Sequence, residues 1–248
     1  MNRNTENRFG NIPQLNMQRS TFDISQNIKT TFNAGQLIPF FIDLDVLPGD
    51  TYKTGLGIVC RALTPIYPVM DNCYLDTYFF YIPSRILWTH WKEFHGENRT
   101  TAWVQPTEYE IPMFTTPSGG ASKGTIMDYM GIPIGITGIE FSQLGIRAYV
   151  KTYNEWFRDQ NLIAPVTEYE DDTNRTASNT TSALGGTPLK VAKYHDYFTS
   201  CLPAPQKGDA VEIPVGSSSV PIRTSSTDVI SWASGTSAMI LKKEQTEQ

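Results

Sequence analysis

Sixteen prolines distributed through 248 residues leave few stretches in which a long helix can run, because each proline lacks a backbone N–H and locks φ near −65°. Eighteen glycines, 12 Phe, 12 Tyr and 5 Trp accompany them, a combination that favours many short strands and bends. The length suffices for one sizeable core, since domains of about 150–250 residues bury about 70% of the surface their unfolded chains expose. The expectation is a mainly β, single-domain architecture.

Residues 1–20 are polar and Asn-rich, with too few apolar side chains to offset the entropy of ordering, and are read as a flexible arm that orders only against partners. Residues 30–46 carry two β-leaning runs split at Asn33-Ala34-Gly35, and Pro48-Gly49-Asp50 supplies a turn before a further extended run over 51–63. Pro65 and Pro68 enforce extended backbone leading into residues 75–82. There Phe79 and Tyr81 occupy one alternating face and Tyr78, Phe80 and Ile82 the other, the pattern of a strand covered on both sides.

Two helices stand out by periodicity. Pro83-Ser84 opens the first, Leu87, Trp88, Trp91 and Phe94 recur at helical spacing, and Gly96 follows in a C′ role. In the second, Ile146, Tyr149, Val150, Tyr153, Trp156 and Phe157 form one apolar stripe, with Lys151, Asn154, Glu155 and Arg158 opposite. Both read as packing helices. The Ser/Thr-rich stretch 173–187, after the acidic run 168–172, reads as a solvated loop, and residues 217–237 are Ser/Thr-rich again.

The formal net charge of −5 argues against a wholly basic nucleic-acid binder. Residues 1–30 nevertheless carry Arg3, Arg8, Arg19 and Lys29 against Glu6 and Asp23, a local excess of +2. An exposed arm with ordinary surface charge explains it, and so does contact with nucleic-acid phosphates. Cys60, Cys73 and Cys201 are odd in number and lack a CxxC pair, so they read as reduced, buried thiols rather than as a disulfide framework or a zinc site. The amino terminus has no apolar run after its charges, and the most apolar stretch, 37–47, is interrupted by Asp43 and Asp45. No signal peptide or membrane insertion is expected, and the sequons at Asn98, Asn174 and Asn179 then acquire no glycan.

Candidate chemistry is sparse. His90, Glu93 and His95 are the nearest approach to a metal cluster, but positions five apart on a helix sit about 140° from each other, unlike the i, i+4 pair of a zinc helix. His195-Asp196 is not accompanied by a nucleophile motif, and Tyr194 and Tyr197 around it suggest a strand or edge hydrogen bond. Gly55-Leu56-Gly57 is followed by Cys60 where a dinucleotide fingerprint needs its third glycine, which leaves a strand with close backbone approach. Glu168, Glu170, Asp171 and Asp172 lack the spacing of a calcium loop and read as a solvated face. No cofactor, metal site or catalytic residue is assigned.

Four blocks carry a family resemblance. Residues 19–52, RSTFDISQNIKTTFNAGQLIPFFIDLDVLPGDTY, come first. They are followed by PIYPVMDNCYLDTYFFYIP at 65–83 with RILWTHWKEFHGE at 85–97, by RAYVKTYNEWFRDQNLIAPV at 147–166, and by KYHDYFTSCLPAPQKG at 193–208. In this order they resemble the major capsid protein of the small single-stranded DNA phages of the Microviridae, closest to the gokushovirus branch. Two positions depart from the pattern: Ala204 stands where relatives often carry Trp, and residues 24–28 lack the basic and His residues common in the first block.

The resemblance implies a viral jelly roll, an antiparallel β-sandwich with helices and long insertions in its loops. Residues 21–216 would be the first part of that domain and 217–248 the start of a surface insertion. The blocks fall in the amino-terminal half of the typical family protein, so the strands that close the jelly roll are expected to be missing at the carboxyl end, and the 248 residues alone are expected not to close shells. It implies a structural, non-enzymatic protein that self-assembles into a small icosahedral shell around circular single-stranded DNA. The implied partners are other copies of itself, the packaged DNA, a small basic DNA-packaging protein and the host cell surface. The implied location is the virion, with assembly in the host bacterial cytoplasm. Two other classes stay open from the residues: a single-stranded DNA-binding module, with aromatics stacking bases, and a sugar-processing β-sandwich using Glu108/Glu110 or Glu168/Glu170. On the capsid reading Trp88, Trp91, Phe94, Tyr149, Tyr153, Trp156, Phe157, Phe79 and Tyr81 are structural packing residues, and Arg3, Arg8, Arg19 and Lys29 are the candidate DNA contacts.

Overall fold

Phe114 sits fully buried at the centre of strand β1 (Met113–Thr115), with its half-buried neighbours on the opposite face, as the two-residue repeat of a strand requires. β1 pairs antiparallel with β2 (Glu140–Ser142), placing Phe114 opposite Phe141. On its other edge it pairs parallel with β3 (Arg175–Thr176), Phe114 opposite Arg175, so the sheet order is β2-β1-β3. The computed structural model describes residues 20–202 and Gly208, apart from 45, 101, 105 and 106. All but Gly208 fall in one compact unit, Met1–Pro203.

Helices flank the sheet. Helices α1 (Ser84–Leu87), α2 (Trp91–Phe94) and α3 (Ile126–Tyr129) are single turns, whereas α4 spans Leu144–Thr152. α3 is fixed at its start by Thr125, whose hydroxyl accepts from the Asp128 N–H at 3.3 Å, while Asp128 accepts from the Gly124 N–H at 2.7 Å. Its Ile126 and Met127 side chains join Phe114, Ile146, Tyr149, Val150 and Ala177 in the main core. A second, smaller cluster gathers Leu87, Trp88 and Leu144, with Ile82, Trp91, Tyr109 and Ile111 packed against it. α4 therefore serves both clusters, Ile146 and Val150 facing one and Leu144 the other.

The helical stripe read from periodicity changes register after Thr152. Residues Tyr153–Phe157 form a π turn, in which bonds run from i to i+5 and one extra residue enters the turn. Tyr153 and Phe157 stay buried, but Trp156 rotates out to 72% exposure, and Asn154, expected on the polar side, turns inward to 4%. The packing assignment of Trp156 is corrected accordingly.

The tryptophan-rich helix is likewise two single turns. Trp88 between them is extended, with φ −147° and ψ 125°, and its main chain closes the first turn on Ser84 O. Gly96 ends the second turn at φ +94°, with its N–H on Glu93 O. Trp88 is fully buried and Trp91 half-buried, whereas Phe94 is 40% exposed.

Several other expectations are revised. Among the described residues, 30–82 form no strand; the stretch is tied to the fold by contacts such as the Gln36 to Lys190 bridge, the Leu37 N–H to Leu189 O and Val191 N–H to Gly35 O bonds, both at 2.9 Å, and the Tyr149 hydroxyl on Leu37 O at 2.9 Å. Extended backbone becomes a strand only where a second chain segment satisfies its N–H and C=O groups, and among the described residues no backbone–backbone hydrogen bond joins 51–63 or 75–82 to another segment. Gly55 and Gly57 have open space around them rather than a close neighbour. Phe79 and Tyr81 are 55% and 78% exposed instead of covered. The three cysteines are free, but all are exposed. The stretch 173–187 is structured: it supplies β3 and a 3₁₀ turn, Ser182–Leu184, and buries Ala177 and Ala183. A small mixed sheet with short helices is what the described residues form.

Candidate functional site

The acidic run 168–172 is solvent-exposed, as expected, and it is also a fastening point. Gln143, at the start of α4 and fully buried, donates through Nε2 to Met113 O at 2.8 Å and Thr173 O at 2.9 Å. Its Oε1 accepts from Arg147 Nη2 at 2.8 Å. The buried Arg147 guanidinium donates further to Leu87 O at 3.1 Å and Asp171 O at 2.7 Å. One cation thereby joins α1, α4 and the acidic loop. Burial pulls the Arg147 guanidinium down from its ordinary value, while Asp171 opposes the shift.

Around this centre each carboxylate has a partner. Arg175 grips Asp171 with two bonds, 2.8 and 2.7 Å, and lies 4.0 Å over the Tyr169 ring. The Arg175 bonds hold the Asp171 carboxyl at about 2. Lys151 Nζ reaches Glu168 at 3.0 Å and Glu170 at 2.7 Å. Burial raises the Glu168 carboxyl, but the hydrogen bond from Asn154 and the pair with Lys151 outweigh it and leave it below the ordinary range. Asn154 also donates to Val166 O at 2.8 Å and accepts from Val166 N at 3.0 Å, which explains its inward turn. The Trp88 indole N–H and the His90 ring both meet Asp172. The sequence signal for this network was the cation-to-carboxylate complement of residues 147–151 and 168–172, legible only once the two are known to be adjacent.

These contacts bind elements together: Glu168 and Glu170 share one lysine, and Glu108 and Glu110 are exposed. His90 and His95 point at different partners, Asp172 and Trp91 O, each at 2.9 Å. Asp196 is spent on a turn, accepting from Phe198 N and Thr199 N at 2.8 and 2.6 Å. Among the described residues no group of three or more His, Cys, Asp or Glu is placed to hold a metal, and no helix is long and apolar enough to cross a membrane.

What the described surface offers is aromatic. Tyr78 and Phe80 meet Phe157 at ring separations of 5.2 and 5.9 Å, and Phe80 meets Trp156 at 5.9 Å. The opposite face, with Phe79 and Tyr81, is uncovered, as are Tyr74, Tyr194, Tyr197 and Phe198. The Tyr194 hydroxyl donates to Asp76 at 3.1 Å, bringing two of these stretches side by side. Of the proposed nucleic-acid contacts, Lys29 is exposed and lines a shallow polar cleft of about 120 Å³ with Asp128 and Tyr129. Arg3, Arg8 and Arg19 lie outside the described residues, as do Ala204 and the segment 217–248.

Comparison with known proteins follows the same line. A family model described as "Capsid protein (F protein)" matches residues 10–248. Capsid protein VP1 of Bdellovibrio phage phiMH2K is 41% identical over 216 residues, covering 87% of this chain and 39% of that protein. Capsid protein VP1 of Chlamydia phage 1 is 38% identical over 221 residues, 84% of this chain and 37% of that protein. Capsid protein VP1 of Spiroplasma virus 4 is 41% identical over 216 residues, 85% of this chain and 38% of that protein. The chain spans less than two fifths of the length of these curated relatives.

Proposed function

The chain belongs to the capsid protein (F protein) family, and from that premise we propose that it is shell-building polypeptide of a Microviridae-type phage, assembling with copies of itself into a small icosahedral capsid and catalysing no reaction. The observation that carries the reading is the uncovered aromatic surface over 74–81 and 194–198. Contiguous apolar surface of this kind is characteristic of faces that become buried between polypeptides, and closed shells form when heterologous contacts close by rotation. The complete fold is then a jelly roll in which extended runs such as 51–63 and 75–82 find strand partners.

The proposed partners are other copies of the chain, circular single-stranded DNA and a small basic packaging protein, with the host cell surface met by the finished virion after assembly in the host cytoplasm. The arm carrying Arg3, Arg8, Arg19 and Lys29 faces the genome, and 217–248 opens a surface insertion. Expression from the complete gene, followed by electron microscopy and sedimentation, tests this reading. Uniform closed particles are expected; material that stays monomeric at tens of micromolar overturns it.

A further inference from the structure

Residues 35–37 and 189–191 run antiparallel, with Gln36 opposite Lys190. The Leu37 N–H donates to Leu189 O and the Val191 N–H to Gly35 O, both at 2.9 Å. In a regular ladder the Leu37–Leu189 pair would exchange a second bond, from the Leu189 N–H to Leu37 O. Here that bond is routed through a side chain. The Leu189 N–H donates to the Tyr149 hydroxyl at 2.9 Å, and the hydroxyl donates to Leu37 O at 2.9 Å. One oxygen from α4 thus stands inside the ladder, between the two segments. Burial pushes the Tyr149 hydroxyl above its ordinary value, so it keeps the hydrogen that it donates.

The two sides of this ladder are held unequally. Residues 189–192 are anchored to the body: Leu189 packs against the main core, and the Ala192 N–H donates to Phe157 O at 2.8 Å. On the other side, no residue of 20–42 is buried. Among the described residues, no backbone–backbone hydrogen bond joins 20–34 or 38–82 to another segment. Beyond the ladder, this side is held by contacts such as the Tyr129 hydroxyl on Thr31 O at 2.8 Å and the apolar packing of Leu37 and Ile42, the latter over Gly145. Stretches with few buried contacts open at lower free energy than the core. We propose that residues 31–42 form a strap across α3 and α4 which lifts off while the body stays folded, and that the Tyr149 hydroxyl is its latch.

The geometry decides which side moves. Lifting the strap breaks the two ladder bonds and the bond from the hydroxyl to Leu37 O. The hydroxyl still accepts the Leu189 N–H, and Ala192 stays on Phe157 O, so 189–192 keep their place. The groups set free on Gly35, Leu37 and Val191 belong to exposed or half-buried residues, where water replaces the lost partners. Lys29 lines one cleft with Asp128 and Tyr129, and opening carries it away from them without disturbing α4. The strap does not depend on shell assembly and is read on the unassembled chain.

Amide hydrogen exchange in rising, sub-denaturing urea, read by NMR on the unassembled chain, tests the proposal. The Leu37 amide is expected to exchange at a rate that hardly changes with urea, because lifting the strap exposes little surface. The Val150 amide inside α4 should exchange more slowly and respond steeply. Equal slopes at the two positions overturn the strap. Tyr149→Phe is expected to speed Leu37 exchange about fivefold, the factor that one net hydrogen bond supplies, with the shallow slope kept. A rate that is unchanged or slower, as a ladder closed by a direct Leu189–Leu37 bond would give, overturns the latch, and so does a slope turned steep. If Tyr149→Phe does not fold, the wild-type slopes still decide the strap. Tyr129→Phe, which loses the bond to Thr31, is then expected to speed Leu37 exchange, and an unchanged rate overturns a strap held by tyrosine hydroxyls.

Discussion

The indole N–H of Trp88 donates to the carboxylate of Asp172, 84 positions further along the chain. The ring itself is fully buried against Leu87 and Leu144, so one side chain combines apolar packing with a polar tie to the acidic loop. Trp88→Ala is expected to destabilise by about 3–5 kcal/mol, the usual range for deleting a buried large aromatic. Trp88→Phe should cost less, because it keeps most of the packing and forfeits the hydrogen bond, and Asp172 retains His90 as a partner. Chemical denaturation of both variants separates the two contributions; equal losses would show that the hydrogen bond dominates.

Trp156 is expected to behave oppositely. At 72% exposure, with its ring near Phe80 alone among described aromatics, Trp156→Ala should shift unfolding by less than about 1 kcal/mol, the range of surface changes. Under the proposed shell-building role it should impair self-association more than stability. Sedimentation velocity beside a denaturation curve checks this, and a large loss of stability with normal association would refute it.

Position 156 also marks how far the sequence could be read. The stripe from Ile146 through Tyr153 is legible because apolar residues at helical spacing must face the core. The same periodicity carries Trp156 onto that face, and fails because a π turn is set by tertiary demand: Asn154 turns inward to bond both polar groups of Val166 and the Glu168 carboxylate. Similarly, Trp88 and Trp91 were legible as packing residues, but not the break between two turns at Trp88. The acidic run 168–172 was legible as charge and not as a hub, since its partners lie on α4 and β3. Strand-like composition over 51–82 was read as strands, and none forms there among the described residues, because pairing depends on a second segment that composition cannot supply.

Arg147→Ala is expected to cost about 3–5 kcal/mol, the range for removing one partner of a buried charged network. It leaves Gln143 Oε1, Leu87 O and the Asp171 carbonyl without their donor. Arg147→Lys should recover only part of this, because an ammonium cannot span three acceptors in one plane. Unfolding midpoints that do not distinguish Lys from Arg at this position would contradict the fork geometry.

Gly185 follows the 3₁₀ turn at φ +88°, and a Cβ there would come within 2.7 Å of Ile146 Cδ1 and 2.8 Å of Met127 Cγ. Its carbonyl accepts the Met127 N–H at 3.2 Å, so the backbone cannot retreat freely. Gly185→Ala combines left-handed backbone strain with overpacking of the core, and about 1–3 kcal/mol of destabilisation is expected. A denaturation midpoint equal to wild type would mean that α3 shifts to make room.

Asp171 supplies a pH prediction with a definite sign. Its hydrogen bonds from Arg175, helped by the charge of Arg147, hold the carboxyl at about 2, below the roughly 3.9 of an unfolded aspartate. A depressed folded value means that the native state binds the proton less readily than the unfolded chain, so the contribution is present above about pH 4 and is lost as pH falls towards about 2. The carboxyl is 49% exposed, and solvent screening should hold the effect to less than about 1 kcal/mol. Unfolding of wild type and Asp171→Asn at a series of pH values should show wild type the more stable at pH 6, with the two curves converging between pH 4 and 2. A difference that persists undiminished to pH 2 would show that the charge of the Asp171 carboxylate is not what separates the two proteins.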